Sequence, residues 1–171
     1  MLVKDRQNGI RNSGADLADL MAIYEANYIR IKQLVPDIAD MPLQHRMSIV
    51  QNALDLHLQL IDRSRYTLTL KLTYVFHDQD GEFLAPDMLV RLYLDARVAE
   101  VLRCGRLRGR RDAEYDRNRR HYELPDKWRM NRFLQKWLGY CLRQGHRFGT
   151  DEANMPAFDD LLTRIKDCPT C

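Results

Sequence analysis

Two runs of strict apolar alternation constrain this chain more than anything else in it. Leu54, Leu56, Leu58 and Leu60 share one parity, with Asp55, His57 and Gln59 between them. Tyr66, Leu68, Leu70, Leu72, Tyr74 and Phe76 repeat the pattern, interleaved with Thr67, Thr69, Lys71 and Thr73. Successive side chains of a strand point to opposite faces, so a period of two collects all the leucines on one face. A helix through the first run is the rival reading, but it would scatter those leucines around its circumference. The pattern predicts two strands with an apolar inner face and a polar outer face, on which His57 is a solvated side chain. Both runs keep their apolar residues at even numbers. Paired residues must then sum to an even number, so the connection holds an odd number of residues or includes a bulge.

A second strand pair is written in Met88 to Val101, MLVRLYLDARVAEV. Val90, Leu92 and Leu94 share one face, while Arg91, Tyr93 and Asp95 share the other. A two-residue loop at Ala96-Arg97 sets Asp95 opposite Val98 and Tyr93 opposite Glu100. Ala-Arg is poor chemistry for a tight primed turn, which favours Gly or Asn, so a longer loop of the same parity is the other option. Either way Ala99 and Val101 join the apolar face, and Arg91, Tyr93, Asp95 and Glu100 gather on the polar one. Such a face is the ordinary solvated side of an antiparallel sheet. It is also a candidate binding surface, with two carboxylates and an arginine to clamp an anion.

Helices flank this sheet in the sequence. Leu17, Leu20, Met21, Tyr24, Tyr28, Ile31 and Leu34 recur at helical spacing after Ser13 or Asp16 as caps, and Pro36 stops the run. Asn27 falls on that stripe and needs a hydrogen-bond partner, for which a neighbouring backbone group is the expected one. Residues 36–46 and 77–87 read as loops, the latter with an Asp80-Gly81 turn signal. Asp126 caps a second helix whose stripe is Met130, Phe133, Leu134, Trp137, Leu138, Cys141 and Leu142, with Gly145 placed as its C′ residue. The expected fold is α+β: a four-stranded antiparallel sheet with the N-terminal and C-terminal helices packed on one face. A single domain over 14–146 is followed by an extension, 147–171, in which Pro156 to Lys166 forms a short amphipathic helix.

Between the sheet and the second helix lies RCGRLRGRRDAEYDRNRRHYE, residues 103–123, with eight arginines. Arg106, Arg108, Arg110, Arg111, Arg117, Arg119 and Arg120 are candidates for an anionic partner, because guanidinium forks hold phosphate bidentately. Tyr115, His121 and Tyr122 offer stacking surfaces. Asp112, Glu114, Asp116 and Glu123 dilute the run, and a solvated, internally paired loop is the alternative. The net charge of +3 over 171 residues does not by itself imply nucleic acid. Cys104, Cys141, Cys168 and Cys171 are too few and too scattered for a disulfide framework. The terminal pair reads as a disordered end, with a metal shared between two chains or a stray disulfide as the alternatives. No cofactor motif or metal motif is present. No run is long and apolar enough to span a membrane, and the start lacks a secretory signal pattern, so a cytoplasmic location is expected.

Several blocks resemble the YqiB-like family of bacterial proteins. They are LMAIYEANY at 20–28 with Leu34 and Pro36, then Arg65-Tyr66-Thr67, then MLVRLYLDARVAEV. The second helix adds Asn131, Phe133-Leu134, Trp137-Leu138, Tyr140-Cys141-Leu142 and Gly145. The likeness spans roughly residues 17–145. It implies a family of unknown function and brings no reaction, cofactor or catalytic residue. The chain departs from the family at Pro125-Asp126-Lys127, in its denser arginine segment, and in its C-terminal tail. The expected function is a cytoplasmic binding or adaptor protein that contacts an acidic partner, RNA or protein, through the arginine-rich loop. The alternative is an enzyme acting on a phosphorylated or nucleotide-like small molecule at the polar face of the 88–101 hairpin. That site would draw on Arg91, Tyr93, Asp95 and Glu100, with Asn131 and Lys127 from the facing helix, and no residue is assigned as catalytic.

Overall fold

The alternating runs build the middle of an antiparallel sheet. A computed structural model describes residues 17–79, 81–107 and 124–149. In it β1 (His45–Ser48), β2 (Leu56–Arg63), β3 (Thr67–Asp78), β4 (Gly81–Tyr93) and β5 (Val98–Leu107) lie in sequence order. The sheet therefore has five strands, not four. β1 lies at the end of the stretch read as loop. Its four residues, His-Arg-Met-Ser, are too short and too polar to show a period, and their pairing with Leu56–Gln59 makes them a strand.

The parity argument holds in the β2–β3 pair. Leu56 faces Tyr74, Leu58 faces Leu72 and Leu60 faces Leu70, all even sums, and a bulge follows between Leu60 and Asp62. Leu54 and Tyr66 do not belong to the inner face: they lie in the flanking turns and are exposed. β4 starts at Gly81 rather than near Met88, so most of the stretch read as the second loop is strand. In the β4–β5 hairpin Arg91 faces Glu100 and Tyr93 faces Val98. The connection is the longer loop, Leu94 to Arg97, with Arg97 at φ 56°. The pairs shift by two residues, which leaves the faces as predicted.

Helices α1 (Leu17–Leu34) and α2 (Leu124–Gln144) cover the apolar face. Ile31 and Leu34 from α1, and Leu134, Trp137, Leu138 and Cys141 from α2, pack on Leu58, Leu70, Val90 and Val101. Each fully buried leucine or valine contributes about 1.5–3 kcal/mol relative to exposure. Phe133 departs from the expected stripe and is exposed. α2 ends in a Schellman turn: Gly145 at φ 93° donates to Leu142 O, and His146 N–H donates to Cys141 O. The packed chain then continues, since Phe148 is wholly buried and its N–H donates to Leu34 O at 2.8 Å.

Two arginines hold the α1–β1 connection in place. Arg46 Nη1 on β1 donates to both carboxylate oxygens of Asp37, at 3.0 and 2.9 Å. Arg63 donates to the carbonyls of Ile38, Ala39 and Met41.

Candidate functional site

The sheet face turned away from the helices is not the solvated surface that the alternation suggests. Thr69, Lys71, Thr73 and His57 are all buried. Sequence alternation reports which face a residue takes, not whether long neighbouring side chains lie over it. Here they do. Arg91 Nε donates to Thr69 Oγ1 at 3.3 Å. Lys71 Nζ lies 2.8 Å from Asp87 Oδ1, and Arg103 Nη2 donates to Asp87 Oδ2 at 2.5 Å. Burial pushes the Lys71 ammonium below its ordinary value, and Asp87 opposes that shift.

His45 and His57 form a second buried pair on this face. Their rings stack within 3° of parallel, and His45 Nε2 shares a proton with His57 Nδ1 at 3.1 Å. Burial, and then the neighbouring His45, lower the His57 pKa to about 4. His57 also lines a shallow cleft of about 310 Å³ with Asp55, His77 and Glu82.

The hairpin residues singled out from sequence divide into three groups. Tyr93 and Glu100 come together: the phenol donates to Glu100 Oε1 at 2.7 Å, and Lys127 Nζ stands 3.5 Å from Oε2. Burial raises the Tyr93 phenol, helped by the hydrogen bond to Glu100. Tyr24 of α1 faces the same carboxylate, and burial followed by the Glu100 charge pushes it up to about 12. Arg91 sits opposite Glu100 in the ladder. Asp95 is apart from them, exposed in the turn with its Oδ1 accepting the Ala96 N–H at 2.9 Å. Asn131 lies on the other side of β5. Its Oδ1 accepts the Val101 N–H at 2.9 Å and its Nδ2 donates to Lys127 O. Asn27 Nδ2 donates to Asn131 O, which is the backbone bond expected of it.

The structure thus unites Tyr93, Glu100 and Lys127 around one carboxylate, and gives Asn131 to the scaffold. The side chain of Arg106, and Arg108, Arg110, Arg111, Arg117, Arg119 and Arg120 as a whole, lie outside the described residues, as do the 156–166 helix, Cys168 and Cys171. Sequence reading missed the Lys71–Asp87–Arg103 cluster and the histidine pair. The only signal for either was a lysine and a histidine on the outer face of otherwise well-formed strands. Among the described residues no group of three or more His, Cys, Asp or Glu is placed to hold a metal ion. No described helix is long and apolar enough to cross a membrane.

A family model described as a protein of unknown function (DUF1249) matches residues 30–147. The chain belongs to this family. Its matched span begins in the last third of α1 and ends just past the α2 turn, so it takes in the whole sheet and the Asn131 bridge. The uncharacterized protein YqiB of Escherichia coli K12 is 33% identical over 135 residues, covering 76% of this chain and 91% of its own length. The YqiB proteins of Escherichia coli strains CFT073 and O157:H7 match to the same extent. No solved structure matches.

Proposed function

We propose that this protein is a cytoplasmic binding or adaptor protein whose partner is an acidic macromolecule, RNA ahead of protein, engaged through Arg106–Arg120. The observation that carries this reading is local charge. Residues 103–123 hold eight arginines against four carboxylates, so their excess alone is larger than the net +3 of the whole chain. The remainder of the chain sums to near neutrality, so this segment is a concentrated source of positive field. Arginine forks suit phosphate or carboxylate, and Tyr115 and Tyr122 add ring faces for bases. The framework on either side supports the reading. The segment leaves from β5 and returns into α2, and these two elements are tied together by the Asn131–Val101 bond.

The enzymatic alternative draws less support. Its carboxylate pair needs Asp95 beside Glu100, whereas Asp95 is engaged by its own turn. The test is co-purification of the full chain from cells at low and high salt, with and without ribonuclease. RNA that elutes with salt, and is lost on changing Arg108, Arg110 and Arg111 together to Ala, supports the reading. Unchanged partners in the triple variant overturn it.

A further inference from the structure

The outward side of α2 carries more positive charge and more exposed aromatic surface than a solvated helix needs. Arg129, Arg132, Phe133, Lys136, Tyr140 and Arg143 are all exposed. At 3.6 residues per turn these six fall within about a third of the helix circumference, opposite the buried Leu134, Leu138 and Cys141. α2 holds five basic residues and one carboxylate, Asp126, which stands 3.4 Å from Arg129. Among the described residues Arg132, Lys136 and Arg143 take part in no salt bridge. From the neighbouring helix, Asp19 stands in the cleft beside Arg132 and Lys136, while Arg30 adds a cation farther along the stripe. A Cβ placed on Gly139 would lie 3.4 Å from Arg143 Nη1 and 3.9 Å from Arg30 Nε of α1, so two guanidinium groups stand over one glycine. Like charges this close are unfavourable alone and are relieved by an anion between them. The stripe also borders a cleft of about 350 Å³ between the helices, where Arg132 lies over the Trp128 ring at 4.8 Å.

We infer that this face of α2, with Arg30 of α1, is a binding surface for single-stranded RNA. It rests on the reading above only in taking the partner to be anionic. Phe133 and Tyr140, 44% and 45% exposed, decide between RNA and an acidic peptide. A peptide of carboxylates would match the cations and leave both rings in water. Unpaired bases match both, because each stacks on a ring for about 1–3 kcal/mol while its phosphate meets a cation. A duplex hides its base faces, so the strand must be single. From Arg129 to Arg143 the stripe runs about 21 Å.

The test is fluorescence anisotropy of the full chain with a short labelled single-stranded RNA across a salt series. Changing Arg132, Lys136 and Arg143 together to Gln should weaken binding at least about tenfold and flatten the salt slope by about two. Changing Phe133 and Tyr140 together to Ala should weaken it at least about thirtyfold and leave the slope unchanged. Phe133→Tyr with Tyr140→Phe should restore it. All these positions are exposed, and an unchanged unfolding midpoint confirms that each variant is folded. The Arg108, Arg110 and Arg111 triple variant runs alongside. If both the helix and the segment variants weaken binding, both surfaces stand. If only the helix variants do, the α2 surface stands and the segment reading falls. If only the segment variant does, the α2 surface is overturned and the segment reading stands. Absence of RNA binding by the unaltered chain at low salt overturns the α2 surface, while an acidic protein partner of the segment is judged by its own co-purification.

Discussion

The Asn131 side chain accepts the Val101 N–H at 2.9 Å, so helix α2 takes the position that a further strand would hold beside β5. An edge strand with free backbone groups invites pairing with another chain, and a helix laid along it is one way to prevent that. Asn131 is fully buried and also receives the Asn27 amide through its own carbonyl.

Replacing Asn131 with Leu keeps the branched heavy-atom skeleton and removes the acceptor. The Val101 N–H is then buried without a partner, which costs about 1–3 kcal/mol. Urea unfolding should show the loss as a lower midpoint at unchanged slope. A midpoint equal to that of the unaltered protein would mean that the bond contributes nothing.

The Lys71–Asp87–Arg103 cluster puts two cations on one carboxylate that is 2% exposed. Asp87→Asn leaves the cations facing a neutral amide. Removing one partner of a buried ion pair typically costs about 3–5 kcal/mol, so this variant should be among the least stable single substitutions in the sheet. Thermal unfolding followed by circular dichroism reads the change. A loss no larger than that of an exposed control such as Asp95→Asn would contradict it.

His57 gives stability a defined pH dependence. Its pKa falls from 6.5 unfolded to about 4 folded, because burial and His45 disfavour the charged form. The unfolded chain therefore binds the proton first. The stability is fully present above about pH 6.5 and is lost progressively as the pH falls toward about 4. Burial shifts His146 in the same direction. Unfolding free energy measured from pH 7.5 down to 4.5 should fall by on the order of 1–3 kcal/mol. His57→Gln should flatten the curve, and an equally steep curve in that variant would remove His57 from the account.

Cys141 is fully buried, and burial pushes its thiol up to about 11 against the opposing Tyr74 hydrogen bond. Thiolate is the reactive form, so this cysteine should resist alkylation in the folded protein at neutral pH and react once the chain is unfolded. Peptide mapping after iodoacetamide treatment distinguishes the two states. Rapid labelling of Cys141 in the folded protein would show that the core around Tyr74 opens readily.

The parts of this fold that could be read from sequence are those where one periodicity acts alone. Leu56 to Leu60 and Leu68 to Tyr74 each alternate without interruption, so their faces and the even register follow, and the bulge is one of the two connections that register allows. Gly145 follows from the stop of the α2 pattern. β1 escaped because its inward positions are Arg46 and Ser48, satisfied by Asp37 and by the His146 and Arg147 region rather than by apolar packing. The polar sheet face escaped for a related reason. Period two separates Lys71 from Leu70 but says nothing about Asp87 and Arg103, which reach it from the next two strands. Phe133 was assigned to the core because an aromatic residue beside Leu134 fits a broad stripe, and only the helix rotation set by Leu134, Trp137 and Cys141 turns it outward. Of the candidate site, Tyr93 and Glu100 were grouped correctly by parity. Asp95 was not, because the loop is two residues longer than the tightest turn.

The central claim is that the positive charge of this chain engages an anionic partner through the arginine-rich segment. Its most direct test is the salt dependence of RNA affinity for the unaltered chain and for the variant with Arg108, Arg110 and Arg111 changed to Ala. The logarithm of the association constant should fall linearly with the logarithm of salt concentration. Each phosphate contact on a single strand contributes about −0.7 to that slope, so the triple variant should be shallower by about two and weaker at every concentration. Identical affinity and slope in the two proteins would contradict the claim.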